Sequence, residues 1–136
     1  MAFTLATWNI NSVRLREPIV CKLLAEHGPD VLCLQECKSP VEKIPRDGFA
    51  ALGYPHMVAR GDKGYNGVAI LSKTPIVEAG AQDFAGLGHA RHIAGTLENG
   101  ITIHNFYVPA GGDVPDRDVN EQFGQKLDYL TDMRDW

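Results

Sequence analysis

Apolar residues fall in short blocks along the chain, and their spacing switches between the periods of strand and helix. Phe3, Leu5 and Trp8 lead into the polar run Asn9-Ile10-Asn11-Ser12, the pattern of a strand that opens into a loop. Between residues 15 and 27 the apolar positions Leu15, Ile19, Leu23 and Leu24 recur at helical spacing. Pro18 suits a first helical turn there, and Gly28-Pro29 supplies a stop. Val31-Leu32-Cys33-Leu34 is an unbroken apolar run, the mark of a strand covered on both faces. The order strand, helix, strand predicts an α/β architecture with a parallel or mixed sheet.

Further strands are predicted at residues 56–59, 68–72 and 76–79, set apart by Gly, Pro and charged residues. Residues 93–98 and 101–107 flank Asn99-Gly100, a pair that favours a two-residue type I′ hairpin turn because both central residues take positive φ. After Val108-Pro109-Ala110-Gly111-Gly112 the chain passes an acidic loop. Val119, Phe123, Leu127 and Leu130 then predict a last helix with one apolar stripe, capped by Asp118 or Asn120.

The 136 residues and 44% hydrophobic content suit one domain or part of one. The net charge of -4 is unevenly spread: residues 1–112 hold ten basic and ten acidic side chains, while 113–136 hold three and seven. Nothing in this balance announces the basic surface usual for nucleic-acid binding. Cys21, Cys33 and Cys37 are an odd number, and the start carries no apolar signal-like run, so a reducing cytoplasm is the expected setting. No stretch approaches the roughly 18 uninterrupted apolar residues of a membrane span, and no membrane role is expected.

Several residues could carry chemistry. Glu36 follows one buried strand and Asn9 and Asn11 follow another, the positions where open α/β sheets gather ligand groups. One carboxylate with amide oxygens makes a hard donor set suited to magnesium. Read from residue type alone, the favoured account of the same groups is a turn at Asn9 and Asn11 and a loop cap at Glu36. Tyr107 ends the hairpin strand before a Pro-Ala-Gly-Gly loop, where its hydroxyl could reach a phosphate, or its ring could simply pack on the sheet. Gly64-Tyr65-Asn66-Gly67 suits close approach of backbone to a ligand, or a plain turn. Cys33 and Cys37 lack partners at zinc spacing and are read as packing residues. His89 and His92 are placed in a solvated glycine-rich loop, and His27 and His104 are read as structural.

Four motifs change these odds when taken in order. They are Trp8-Asn9-Ile10-Asn11-Ser12-Val13-Arg14, Leu34-Gln35-Glu36-Cys37-Lys38, Gly64-Tyr65-Asn66-Gly67-Val68-Ala69-Ile70-Leu71-Ser72 and Asn105-Phe106-Tyr107-Val108-Pro109-Ala110-Gly111. Together they resemble the exonuclease III family of AP endonucleases within the endonuclease/exonuclease/phosphatase superfamily, over essentially the whole chain. The resemblance implies a mixed β-sheet with flanking helices, one half of a four-layer α/β sandwich. Residues 1–136 would be the N-terminal part of a single such domain.

It also implies a DNA-repair hydrolase that uses Mg2+ or Mn2+, acts as a 3′-to-5′ exodeoxyribonuclease, and incises at abasic sites. Asn9 and Glu36 would hold the metal, Asn11 would lie beside it, and Tyr107 would be the catalytic tyrosine. Arg14, Lys38, Tyr65 and Asn66 would approach double-stranded DNA carrying abasic or damaged 3′ ends. The family's later Asp-x-Asn and Ser-Asp-His motifs have no counterpart in these 136 residues; Asp118-Val119-Asn120 precedes a helix and is read as a chance match. Hydrolysis by this chain alone is therefore expected to be severely impaired. Its first sheet is expected to expose the apolar face that packs on a partner sheet, inviting self-association. Two other readings stand beside the nuclease: a non-catalytic half-domain that binds DNA or a partner chain, and a phosphodiesterase or phosphatase acting on lipid headgroups.

Overall fold

The computed structural model describes residues 2–136. Seven strands and three α-helices follow one another as β1 (Leu5–Asn9), α1 (Glu17–His27), β2 (Val31–Gln35), α2 (Arg46–Ala51), β3 (His56–Arg60), β4 (Val68–Ser72), β5 (Ile76–Gly80), β6 (His92–Leu97), β7 (Thr102–Phe106) and α3 (Glu121–Asp135). They form a four-stranded sheet ordered β1-β2-β4-β3 and a three-stranded sheet ordered β5-β6-β7. The β1–β2 pair is parallel and joined by α1, and the remaining pairs are antiparallel. The mixed α/β reading of the sequence therefore holds.

The unbroken apolar runs mark the two central strands. Every residue of β2 and of β4 is buried, because each strand is covered on both faces. Leu32, Leu34, Ala69 and Leu71 face the helices with Val20, Leu24 and Phe49. Val31, Cys33, Val68 and Ile70 face the second sheet, where Ile93, Leu97 and Ile103 meet them. At Gly95 in β6 a Cβ would stand 2.6 Å from Ile76 Cδ1 and 3.1 Å from Val58 Cγ2, so the missing side chain leaves room for Ile76 to pack between the two sheets.

This second sheet corrects one expectation. The inner face of the first sheet is not laid bare along its length, since β5-β6-β7 covers β2, β4 and β3. Only the inner strip of β1 remains open, with Leu5 48% exposed and Thr7 and Asn9 also exposed. The apolar surface available for self-association is correspondingly narrow.

Three local expectations also shift. First, α1 begins at Glu17, so Leu15 stays outside it and 72% exposed; the buried stripe is Val20 and Leu24, with Ile19 turned outward. Second, the hairpin has a three-residue loop. Gly100 N–H donates to Leu97 O and Leu97 N–H to Ile101 O, while only Gly100 takes positive φ, at 89°. A G1-bulge turn needs just that one glycine, which leaves Asn99 in ordinary conformation with its Oδ1 accepting from Ile101 N–H. Third, α3 buries Gly124 and Tyr129, while Val119, Leu127 and Leu130 are exposed. Asn120 caps this helix through its side chain, accepting from Gln122 N–H, and Asp118 lies outside in the preceding turn.

The histidines differ from expectation as well. His92 is the first residue of β6 and only 1% exposed, so it does not belong to a solvated loop. Its ring lies among Phe84, Phe106, His104 and Trp136 on the outer face of the second sheet, under the end of α3. Nδ1 accepts from Gln82 N–H, which puts the ring proton on Nε2, facing His104 Nδ1 at 3.2 Å. Burial, then His104 and Arg60, push the His92 pKa down to about 4. His89 is half-buried and its Nδ1 accepts from Arg91 Nε. Cys33 and Cys37 are buried packing residues, and burial raises their thiols to about 11 and about 12.

Candidate active site

The parallel pairing of β1 and β2 sets Asn9 opposite Gln35, so both strands release their chains at the same sheet edge. Non-glycine residues in left-handed backbone gather in the loops that follow β1, β2 and β3. Asn11 (φ 48°), Ser12 (85°), Glu36 (57°), Lys38 (51°) and Asn66 (48°) are five of the six such residues among those described. Each costs on the order of 1 kcal/mol or more and persists only where the surroundings over-determine it, which is the habit of binding sites.

What over-determines them is main-chain hydrogen bonding from loop to loop. Ser12 N–H donates to Glu36 O and Val13 N–H to Cys37 O. Cys37 and Lys38 N–H in turn donate to Gly67 O and Asn66 O. Gly67 N–H continues the series to Ala90 O, and Tyr107 N–H reaches Arg91 O. Gly67, at φ 96° with its missing Cβ 3.3 Å from Cys37 Cβ, lets the loop that carries Cys37 lie directly against it. Five loops from separate parts of the chain thus form one interlocked rim.

Polar side chains converge on this rim. Lys38 Nζ donates to Asn11 Oδ1 at 2.7 Å and lies 3.3 Å from Glu36 Oε1. Arg14 reaches Lys38 O, and Arg16 fixes the Asn11 carbonyl at 2.7 Å. The Tyr107 phenol is raised above its ordinary value by burial and then by the negative charge of Glu36, against the opposing pull of Arg91 and Lys38. It therefore stands as a neutral hydrogen-bond donor at pH 7, beside the carboxylate.

Beneath the rim, Asn105 locks the two sheets together. Its Nδ2 donates to Leu34 O and to Ala69 O, both at 2.9 Å, and its Oδ1 accepts from Gln35 Nε2 at 2.8 Å. Gln35 also donates to Thr7 Oγ1, so β7, β2, β4 and β1 are tied at the level of the site.

Of the residues expected from the sequence, Asn11, Glu36 and Lys38 meet directly, Tyr107 shares their electrostatic field, and Arg14 and Asn66 join through backbone. Asn9 lies exposed at the end of β1, and its side chain makes no hydrogen bond to the described residues. Tyr65 is 74% exposed at the mouth of a cleft of about 620 Å³ lined also by Asn66, Arg91, Tyr107 and Gly111. Arg91 is a site residue that the sequence does not single out. Its guanidinium carbon lies 4.6 Å from the Tyr107 ring centroid, and Nη1 donates to Tyr107 O. Asn105 is another, although it sits in β7 only two positions before Tyr107.

A family model described as the Endonuclease/Exonuclease/phosphatase family matches residues 6–136. The chain belongs to that family. It is 30% identical over 135 residues to exodeoxyribonuclease III of Haemophilus influenzae, covering 96% of this chain and 49% of that protein. The structure of an AP endonuclease from Archaeoglobus fulgidus superposes with a TM-score of 0.87 at 35% identity, covering 99% of this chain and 51% of that one. A 3′ phosphatase from Neisseria, solved bound to a product DNA hairpin, gives 0.82 at 33% identity, covering 98% and 51%. The chain thus spans about half the length of the relatives it matches.

Within this endonuclease/exonuclease/phosphatase frame the rim offers oxygen donors and one carboxylate. Among the described residues no group of three or more His, Cys, Asp or Glu side chains is placed to hold a metal ion. Glu36, with the amide oxygens of Asn9 and Asn11, fits part of a magnesium site, because that ion takes one or two carboxylates and keeps several waters.

Proposed function

We propose that this chain supplies the first half of a DNA phosphodiesterase site, in a nuclease acting at abasic sites and 3′ ends with a divalent cation. The observation that carries the reading is the rim itself: the carboxylate of Glu36, the ammonium of Lys38 and the amides of Asn11 and Asn66 on left-handed backbone, with the neutral Tyr107 phenol beside them, joined by interlocked loops. The names of the relatives, an exodeoxyribonuclease III, an AP endonuclease and a 3′ phosphatase bound to product DNA, support the choice of DNA over other phosphodiesters. In this reading Glu36 and Asn9 hold the cation, which lowers the cost of charge on phosphate oxygens and on the leaving oxygen.

The chain's own groups then have separable tasks. Tyr107 stays protonated and donates a hydrogen bond to a phosphate oxygen. Arg91, stacked on its ring, keeps that ring from turning and adds positive potential. Lys38 and Arg14 draw the DNA backbone to the rim, with Tyr65 and Asn66 at the cleft mouth offering a ring face and an amide. One carboxylate cannot both bind a cation and activate water, so further acidic groups are expected from outside these 136 residues. The acidic segment from Asp113 onward is repulsive to phosphate, so the DNA is expected to run over the rim and away from α3.

The test is cleavage of a duplex oligonucleotide bearing one abasic site, with Mg2+ and with chelator. The chain is assayed alone and fused to the second half of one of its relatives. Metal-dependent incision only by the extended protein is the expected result. Incision by the chain alone would show that its single carboxylate suffices, and no incision by either would leave the non-catalytic DNA-binding half-domain as the better account.

A further inference from the structure

Two oxygens at the rim are aimed at one point, and a side-chain cation already sits there. Asn11 Oδ1 lies 2.7 Å and Glu36 Oε1 3.3 Å from Lys38 Nζ. All three residues take left-handed φ, so the meeting is imposed by backbone that their side chains alone would not choose. An ammonium is a compact donor with no acceptor, and it answers the two oxygens much as a small metal cation would. Lys38 is also part-exposed on a flexible four-carbon stem, with 36% of its side chain accessible, so it can leave without disturbing a packed core.

We infer that the Lys38 ammonium competes with the divalent cation for Asn11 Oδ1 and Glu36 Oε1, so that cation binding and release of Lys38 are a single event. This rests on the metal-site reading proposed above, in which Glu36 and Asn9 hold the cation, and adds to it Asn11 Oδ1 as a further cation-facing oxygen and an internal competitor that weakens cation affinity and frees a positive charge next to the cleft. The released ammonium is then available to a phosphate oxygen. By linkage, whatever cation binding gains from an occupied phosphate site, phosphate binding gains from the cation.

The experiment measures Mn2+ binding to the 136-residue protein by electron paramagnetic resonance, for the native sequence, Lys38→Met, Lys38→Gln and Glu36→Gln, each checked for an unchanged circular dichroism spectrum. Removing a positive charge a few ångströms from a doubly charged ion is expected to tighten Mn2+ binding about tenfold in both Lys38 variants. Glu36→Gln is expected to abolish it. As a second readout, the side-chain ammonium signal of Lys38 in a 1H–15N spectrum of the native protein should move on adding Mg2+. Equal Mn2+ affinity with and without Lys38, or a Lys38 signal indifferent to bound Mg2+, would overturn the competition while leaving the metal site standing. Absence of specific Mn2+ binding in the native chain and both Lys38 variants would overturn the metal-site reading and this inference with it.

Discussion

Asn105 offers the most quantitative test of how the site is built. It is 2% exposed and makes three side-chain hydrogen bonds, two donated to the Leu34 and Ala69 carbonyls and one accepted from Gln35. Net contributions of about 0.5–1.5 kcal/mol per bond give a loss of about 2–4 kcal/mol for Asn105→Ala, including the small cavity. Gln35 keeps Thr7 as a partner, which holds the figure toward the lower end. Asn105→Asp keeps the shape but turns an acceptor toward two carbonyl oxygens in a buried place, so it should cost more than the alanine. The assay is urea unfolding followed by circular dichroism, with the two variants and the native chain under one set of conditions. An alanine cost below about 0.5 kcal/mol, or an aspartate milder than alanine, would refute the view that this amide clamps the sheets at the level of the rim.

Other expectations are narrower. The Tyr107 phenol, raised by burial and by Glu36, should titrate above the ordinary tyrosine value in an alkaline absorbance difference spectrum that Tyr107→Phe assigns, and Glu36→Gln should bring it down. His92, lowered to about 4 when folded against about 6.5 unfolded, leaves more protons on the unfolded state between those values. Its contribution to stability should therefore be fully present above about pH 6.5 and fall as pH drops toward 4. Urea midpoints at several pH values should show this, with the slope reduced in His92→Gln. Gly67→Ala forces a Cβ onto φ 96° at 3.3 Å from Cys37 Cβ and should cost more than about 1 kcal/mol by thermal melting, since the Cys37-to-Gly67 bond must give way.

Much of the fold is legible in the sequence because its strongest signals are local. The unbroken runs of β2 and β4 report burial on both faces, and the breaks at Gly28-Pro29 and Asn99-Gly100 report where elements end. What is not legible depends on tertiary geometry. Asn99-Gly100 specifies a turn but not its length, and the G1 bulge follows from the strand register. Leu127 and Leu130 suggest a stripe on α3, yet the groove beneath the helix is shaped by Phe84 and the sheet, and it takes Tyr129. His92 resembles a loop residue because its neighbours are Gly88 and His89, while its burial comes from aromatics at 84, 106 and 136.

The site divides in the same way. The four motifs locate Asn11, Glu36, Lys38 and Tyr107, but motif strings carry no geometry. Nothing in the residue types Glu and Lys announces left-handed backbone, since both rarely adopt it. Arg91 and Asn105 act through partners sixteen or more positions away, Tyr107 for the first and Gln35, Leu34 and Ala69 for the second.

The central claim is that the interlocked loops form the DNA-facing rim. Its most direct test is amide chemical-shift mapping of the 15N-labelled chain titrated with a short abasic duplex at low salt. The account expects the largest changes at Asn11, Lys38, Tyr65, Asn66 and Tyr107, with α3 silent beyond Gln125, the last of its residues that line the cleft. Changes centred on α3 or on the outer face of the second sheet, or none anywhere, would contradict it.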